Sequence, residues 1–159
     1  TTNFPSNTCT GTSGLGRNAC GANPNTTELY GAQNFTFGPF SGFFKVSYSL
    51  TNIFGIHASK GSIYPDLTIN YDTGVMGIVL NAHYGYQKVP VTRSAGNTFD
   101  FSYSDLKLGL TKDFGGGLSA NVSYVGTNAG TVRGNPLYYS PTNKNLGKSG
   151  GLISLTKTF

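Results

Sequence analysis

The chain has 159 residues and a net charge of +5, yet charged residues make up only 11% of it, aromatics 13%, and 23 positions are Gly. Soluble domains devote about a quarter of their residues to charge, well above this chain, and disordered chains carry few aromatics, so the composition excludes disorder. Gly-rich sequence poor in Ala, Leu, Glu and Lys argues against helices. The Lys and Arg residues are scattered, so no nucleic acid is expected as a partner.

No run reaches the roughly 18–20 apolar residues of a membrane-spanning helix, whereas a spanning strand needs only about 9–11. Thr1 opens on neither a basic start nor an apolar core, so the N-terminus is no signal peptide. Residues 1–26 are rich in Asn, Thr, Gly, Pro and Ser and are expected to form an outer loop. Cys9 and Cys20 lie in it, ten residues between them. They lack the spacing of a redox CxxC pair and have no nearby His for zinc. A disulfide in an oxidising compartment is expected instead, closing a ring for roughly 3 kcal/mol.

From residue 28 onward, period-two alternation is the main signal. The first strand, Glu28 to Phe37, has Leu29, Phe35 and Phe37 apolar, with Gln33 in phase with them. After a Gly38-Pro39 turn, Phe40, Gly42, Phe44, Val46, Tyr48 and Leu50 oppose Ser41, Phe43, Lys45, Ser47 and Ser49. Next, Leu67, Ile69 and Tyr71 oppose Asp66, Thr68 and Asn70. Beyond the turn at Asp72-Thr73-Gly74, Met76, Ile78, Leu80, Ala82, Tyr84 and Tyr86 oppose Asn81, His83 and Gly85. The fifth strand sets Leu106, Leu108 and Leu110 against Asp105, Lys107, Gly109 and Thr111. A turn at Phe114 to Gly117 leads to Leu118, Ala120, Val122 and Tyr124, opposed by Ser119, Asn121 and Ser123. The last strand runs from Leu152 to Phe159, with Ile153, Leu155 and Phe159 on one parity.

Seven strands result. Tight turns alternate with long polar connections at 51–63, 87–103 and 127–151. That is the layout of an antiparallel transmembrane β-barrel, with short periplasmic turns and long outer loops. The aromatics sort to the two strand ends, as interfacial belts require. Phe37, Phe40, Tyr71, Phe114 and Phe159 fall at the tight-turn side, and Tyr48, Tyr84, Tyr86, Tyr103 and Tyr124 toward the long loops. Phe37, Phe40, Tyr48, Tyr71, Tyr84, Tyr86, Tyr124 and Phe159 are the expected membrane-interface residues. Lys157 shares the lipid-facing parity but lies near the chain end, where its amine reaches the interface. Bacterial barrels have even strand numbers, and unpaired edges are not tolerated in lipid. Residues 27–159 are therefore expected to be the C-terminal strands of one larger even-stranded barrel. Its N-terminal strands would come from a missing segment or another chain.

Several segments also resemble, in order and spacing, a family of proteobacterial outer-membrane proteins, the TorF-type porins. They are Thr26-Thr27-Glu28-Leu29-Tyr30, Phe37-Gly38-Pro39-Phe40 with Val46-Ser47-Tyr48-Ser49, Tyr103 to Gly109, Thr111-Lys112-Asp113-Phe114-Gly115, and Ser154 to Phe159. The resemblance covers about residues 26–159. It implies an outer-membrane barrel whose terminal aromatic, Phe159, is read by the barrel-insertion machinery. It also implies a further N-terminal half.

Lys45, Asp66, Asn70, Asn81, His83, Asp105, Lys107 and Asn121 share the inward parity and are the candidate pore lining. Two signs of charge are present, so weak ion selectivity is expected. If Tyr84 and Leu106 pair, His83 lies beside Lys107. No Ser, Asp or second His is placed with His83 for catalysis. Asp72-Thr73-Gly74 has no second copy to make an aspartic-protease dyad, and Asp113-Phe114-Gly115 lacks every other kinase motif; both read as turns. No enzyme activity, cofactor or metal is expected. The leading expectation is a passive outer-membrane pore for small hydrophilic solutes, embedded in outer-membrane lipid and compatible with a homo-oligomer. A non-conducting scaffold that displays its outer loops is the alternative, and a soluble β-sandwich or filament subunit is the third.

Overall fold

The computed structural model describes residues 25–90, 92–94, 97–132, 135–138 and 144–159. The described part is all-β. Its elements are β1 (Glu28–Phe37), β2 (Phe40–Ser49), β3 (Ile63–Asp72), β4 (Ile78–Gln87), β5 (Thr92–Ser94), β6 (Asn97–Phe99), β7 (Tyr103–Gly115), β8 (Leu118–Thr127), β9 (Thr131–Val132), β10 (Asn135–Pro136) and β11 (Gly150–Lys157). Seven of them form one antiparallel meander in the order β1-β2-β3-β4-β7-β8-β11. The short strands β5–β6 and β9–β10 are two small hairpins inside long connections that the sequence pattern presents as loop. Cys9 and Cys20 lie outside the described residues.

Turn chemistry sets the register. Gly38-Pro39 closes a two-residue hairpin that pairs Phe37 with Phe40, with Gly38 at φ 53°. Successive positive φ values at Gly115, Gly116 and Gly117 reverse the chain between β7 and β8, with a register shift between Asp113 and Gly115. Met76 is not in a strand. It sits in the β3–β4 turn at φ 52°, flanked by Gly74 and Gly77, so β4 begins at Ile78. Parity runs unbroken through that turn, which is why alternation alone carries the strand two residues too far. Phe159 likewise lies beyond the end of β11.

The cross-strand pairs confirm one apolar and one polar face. The apolar row Phe37, Phe40, Tyr71, Leu80, Leu110, Val122, Ile153 runs through all seven strands. On β7 this row meets Leu110, five residues short of Gly115. Hairpin ends are thus staggered along the strand direction, the offset that tilted strands produce. Phe40 and Tyr71 bring their rings within 4.8 Å. Gln33 pairs with Phe44 on the same face. The sheet does not close: among the described residues β1 and β11 remain unpaired edges. Successive antiparallel pairing through seven strands makes those two edges run in the same direction.

Apolar burial is found elsewhere. Ile53, Ile56, Val89, Phe99, Phe101 and Leu137 form the one cluster of buried hydrophobics among the described residues. They come from the β2–β3, β4–β7 and β8–β11 connections, all at the same sheet end. These connections, polar by composition, fold together into a cap. Its backbone is tied by hydroxyls: Ile53 N donates to Ser59 Oγ at 2.8 Å, and Ser59 Oγ to Ile56 O at 2.6 Å. Tyr138 OH donates to Phe101 O at 2.6 Å, and its ring stands edge-on to Phe101 and Tyr103. Tyr103 therefore belongs to the cap and the polar face, by its pairing with Gln87, and not to an interfacial belt.

Candidate functional site

The polar face carries the candidate site. Lys45, Asp66, Gly85, Asp105 and Thr127 form one row across β2, β3, β4, β7 and β8. The adjacent row toward the tight turns is Phe43, Thr68, His83, Lys107, Val125. Side chains two residues apart on one strand share a face, so the two rows interleave.

His83 is the hub. Its Nδ1 lies 3.0 Å from Asp66 Oδ1 and 3.1 Å from Thr68 Oγ1. Its Nε2 lies 2.8 Å from Asp105 Oδ1. Asp66 is buried and is also paired to Lys45 Nζ at 3.1 Å. A buried carboxylate without a partner is costly; here Asp66 has a lysine and an imidazole. Asp105 accepts in addition from Tyr64 OH at 3.0 Å.

Tyr64 reaches Asp105 across the whole width of β4, which Gly85 permits. A Cβ at Gly85 would stand 2.1 Å from Tyr64 OH and 2.9 Å from Asp105 Oδ2. Glycine is the residue that leaves this space. Tyr64 is missing from the sequence-derived lining because β3 starts at Ile63, earlier than the alternation around Leu67 reveals. The lone Gly85 between Tyr84 and Tyr86 is the sequence signal that a group crosses there.

Nearer the tight turns comes a cluster of amides. Asn81 Nδ2 donates to Asn70 Oδ1 at 2.8 Å, and Thr111 Oγ1 to Asn81 Oδ1 at 2.6 Å. Asn121 Nδ2 donates to Thr111 Oγ1 at 2.9 Å and to Asn81 Oδ1 at 3.3 Å. These groups border an open recess of about 470 Å³, with His83, Lys107 and Ser154 also on its wall. Lys107 has no hydrogen-bond or ion-pair partner among the described residues.

The structure thus joins Lys45, Asp66, His83 and Asp105 in one charged network. It joins Asn70, Asn81 and Asn121 in one amide network, and leaves Lys107 facing the recess between them. His83 and Lys107 are direct cross-strand partners, as are Tyr84 and Leu106. Within the candidate lining two ammonium and two carboxylate groups balance, and Glu28, Asp72 and Asp113 add carboxylates to the same face at the strand ends.

The opposite face holds the aromatics. Phe37, Phe40, Tyr48, Tyr71, Tyr84, Tyr86, Tyr124 and Phe159 are all exposed. With them stand Phe44, Leu67, Leu80, Leu106, Leu108, Leu110, Val122, Ile153 and Leu155, also exposed. No curated protein and no solved structure matches the chain. Residues 14–159 match a bacterial family described as "Bacterial protein of unknown function (Gcw_chp)", and the chain belongs to that family.

Proposed function

We propose that the protein is an outer-membrane β-barrel that serves as a passive pore for small hydrophilic solutes. One observation carries the reading: burial in the sheet is inverted. Leu108, at the middle of β7, is 50% exposed, while Asp66 on the other face is 4% exposed. In water such a sheet would leave its apolar area uncovered. In a bilayer the same face is solvated by acyl chains, and the polar face lines an aqueous interior.

The alternation of tight turns and long connections, the strand stagger, the aromatics and the resemblance to TorF-type porins support the same reading. The long loops then face the cell exterior, and Phe159 is offered to the insertion machinery at the periplasmic side. Because β1 and β11 run in the same direction, antiparallel closure needs an odd number of further strands, from elsewhere in the protein or from another chain. The test is reconstitution in planar bilayers. Stepwise conductance with near-equal cation and anion permeability is expected; a folded, membrane-inserted protein that never conducts would overturn the pore. Lys107→Glu replaces one of the two lysines of the polar face by a carboxylate, so its reversal potential should move toward cations.

A second reading, a non-conducting scaffold that displays its outer loops, is favoured by the cap. Its buried cluster and tyrosine contacts give the loops a structure of their own.

A further inference from the structure

A five-residue pattern occurs twice. Leu110-Thr111-Lys112-Asp113-Phe114 lies near the end of β7, and Leu155-Thr156-Lys157-Thr158-Phe159 closes β11 and the chain. The two strands run in the same direction on either side of β8. Lys112 pairs with Ala120 and Lys157 with Leu118, so both lysines share the apolar face, one two-residue step apart along β8. Every other apolar-face position of the seven strands is uncharged. Within the seven strands the only charged side chains on that face are therefore two lysines, at the tight-turn end.

Each lysine is coupled to the phenylalanine of its own copy. Lys112 Nζ lies 5.9 Å from the Phe114 ring centroid, and Lys157 Nζ 5.7 Å from that of Phe159. Both rings are exposed. The copies are tied together through the β7–β8 turn: Lys157 Nζ donates to Gly116 O at 2.6 Å, and Thr158 N to Gly117 O at 2.9 Å. Neither lysine has a carboxylate partner among the described residues. Asp113, between Lys112 and Phe114, points to the other face and accepts from Gly115 N.

Resting on the membrane-barrel reading, we infer that these two copies form one binding site for the phosphate of an anionic glycerophospholipid in the leaflet at the tight-turn side. The strand spacing puts the two lysine backbones about 12 Å apart, within reach of one headgroup for two extended ammonium arms. The small Ala120 lies between Lys112 and Leu155 in the same row and leaves a shallow gap. Acyl chains from that headgroup descend along Val122, Leu110 and Ile153. Phe114 and Phe159 hold the lysine stems and stand at the depth of the glycerol backbone, where aromatic rings settle. Charge complementarity selects the occupant: an ammonium pair with no acidic side chain beside it on an otherwise apolar strand surface matches a phosphodiester that carries its own chains.

The test uses the full chain refolded in a zwitterionic detergent and titrated with phosphatidylglycerol or phosphatidylcholine. Retained lipids are counted by native mass spectrometry. The wild type is expected to retain one phosphatidylglycerol in at least tenfold preference over phosphatidylcholine. Lys112→Gln with Lys157→Gln should erase that preference, and the double Arg variant should keep it. If the double Gln variant fails to assemble, Lys112→Gln alone, which leaves the chain end intact, must still lower the preference severalfold. Equal retention of the two lipids by a heat-modifiable wild-type barrel, or an unchanged preference in Lys112→Gln, overturns the site and leaves the barrel standing. A wild type soluble without detergent overturns both.

Discussion

The sheet and the loop cap of this molecule are built by opposite rules from one amino-acid alphabet. In the cap, Ile53, Ile56, Val89, Phe99, Phe101 and Leu137 are buried against one another. In the sheet, Leu29, Leu80, Leu108, Val122 and Leu155 are exposed, while Asp66 and Ser123 are buried. Two solvents account for both on the membrane reading proposed above. The cap follows the water rule, in which apolar area is removed from solvent. The sheet matches the pattern expected in lipid, with polar groups gathered on one face and apolar ones outward; Ser123 Oγ is buried there without a hydrogen-bond partner among the described residues. On that membrane reading, the boundary between the two media would lie near the cap ends of the strands, around Tyr48 and Tyr86.

That comparison can be broken one side at a time. Phe101→Ala removes a fully buried ring from the cap and should cost the cap about 3–5 kcal/mol. The cap should become protease-sensitive while heat-modifiable migration of the barrel persists; loss of both together would join cap and sheet into one cooperative unit. Leu108→Arg puts a charge in the middle of the apolar face and should cost about 2–4 kcal/mol of bilayer stability. Denaturant titration in lipid vesicles reads this, and no loss would contradict a lipid-facing position. Gly85→Val drives a side chain into Tyr64 and should cost about 1–3 kcal/mol, with the cap unchanged to proteolysis. Lys107→Glu lies at the smallest end: stability should hold, and only permeability should shift.

Alternation made the sheet legible, because side-chain direction in a strand follows from the backbone alone. It put Gln33 on the same face as Phe35 and set His83 beside Lys107, where the register has them. Three things lay outside its reach. Met76 keeps the apolar parity while its backbone is already turning. Tyr64 contacts a residue two strands away, across a glycine, and no local pattern encodes a partner at that distance. The cap draws one to three apolar residues from each of three separate connections, each too sparse to signal a core. The same limit explains Tyr103, whose edge-on contact with Tyr138 depends on a loop returning from 35 residues along the chain.

The chain contains no Trp, so a single introduced Trp reports its own surroundings. Leu108→Trp and Lys107→Trp, neighbours on opposite faces of β7, should be placed in vesicles whose acyl chains carry bromine. Emission of the Trp at 108 should be strongly quenched by the lipid, and that of the Trp at 107 should be quenched by aqueous iodide and hardly by bromine. Equal behaviour of the two, or a Leu108→Trp protein that stays in the aqueous phase, would contradict a sheet whose apolar face is solvated by lipid.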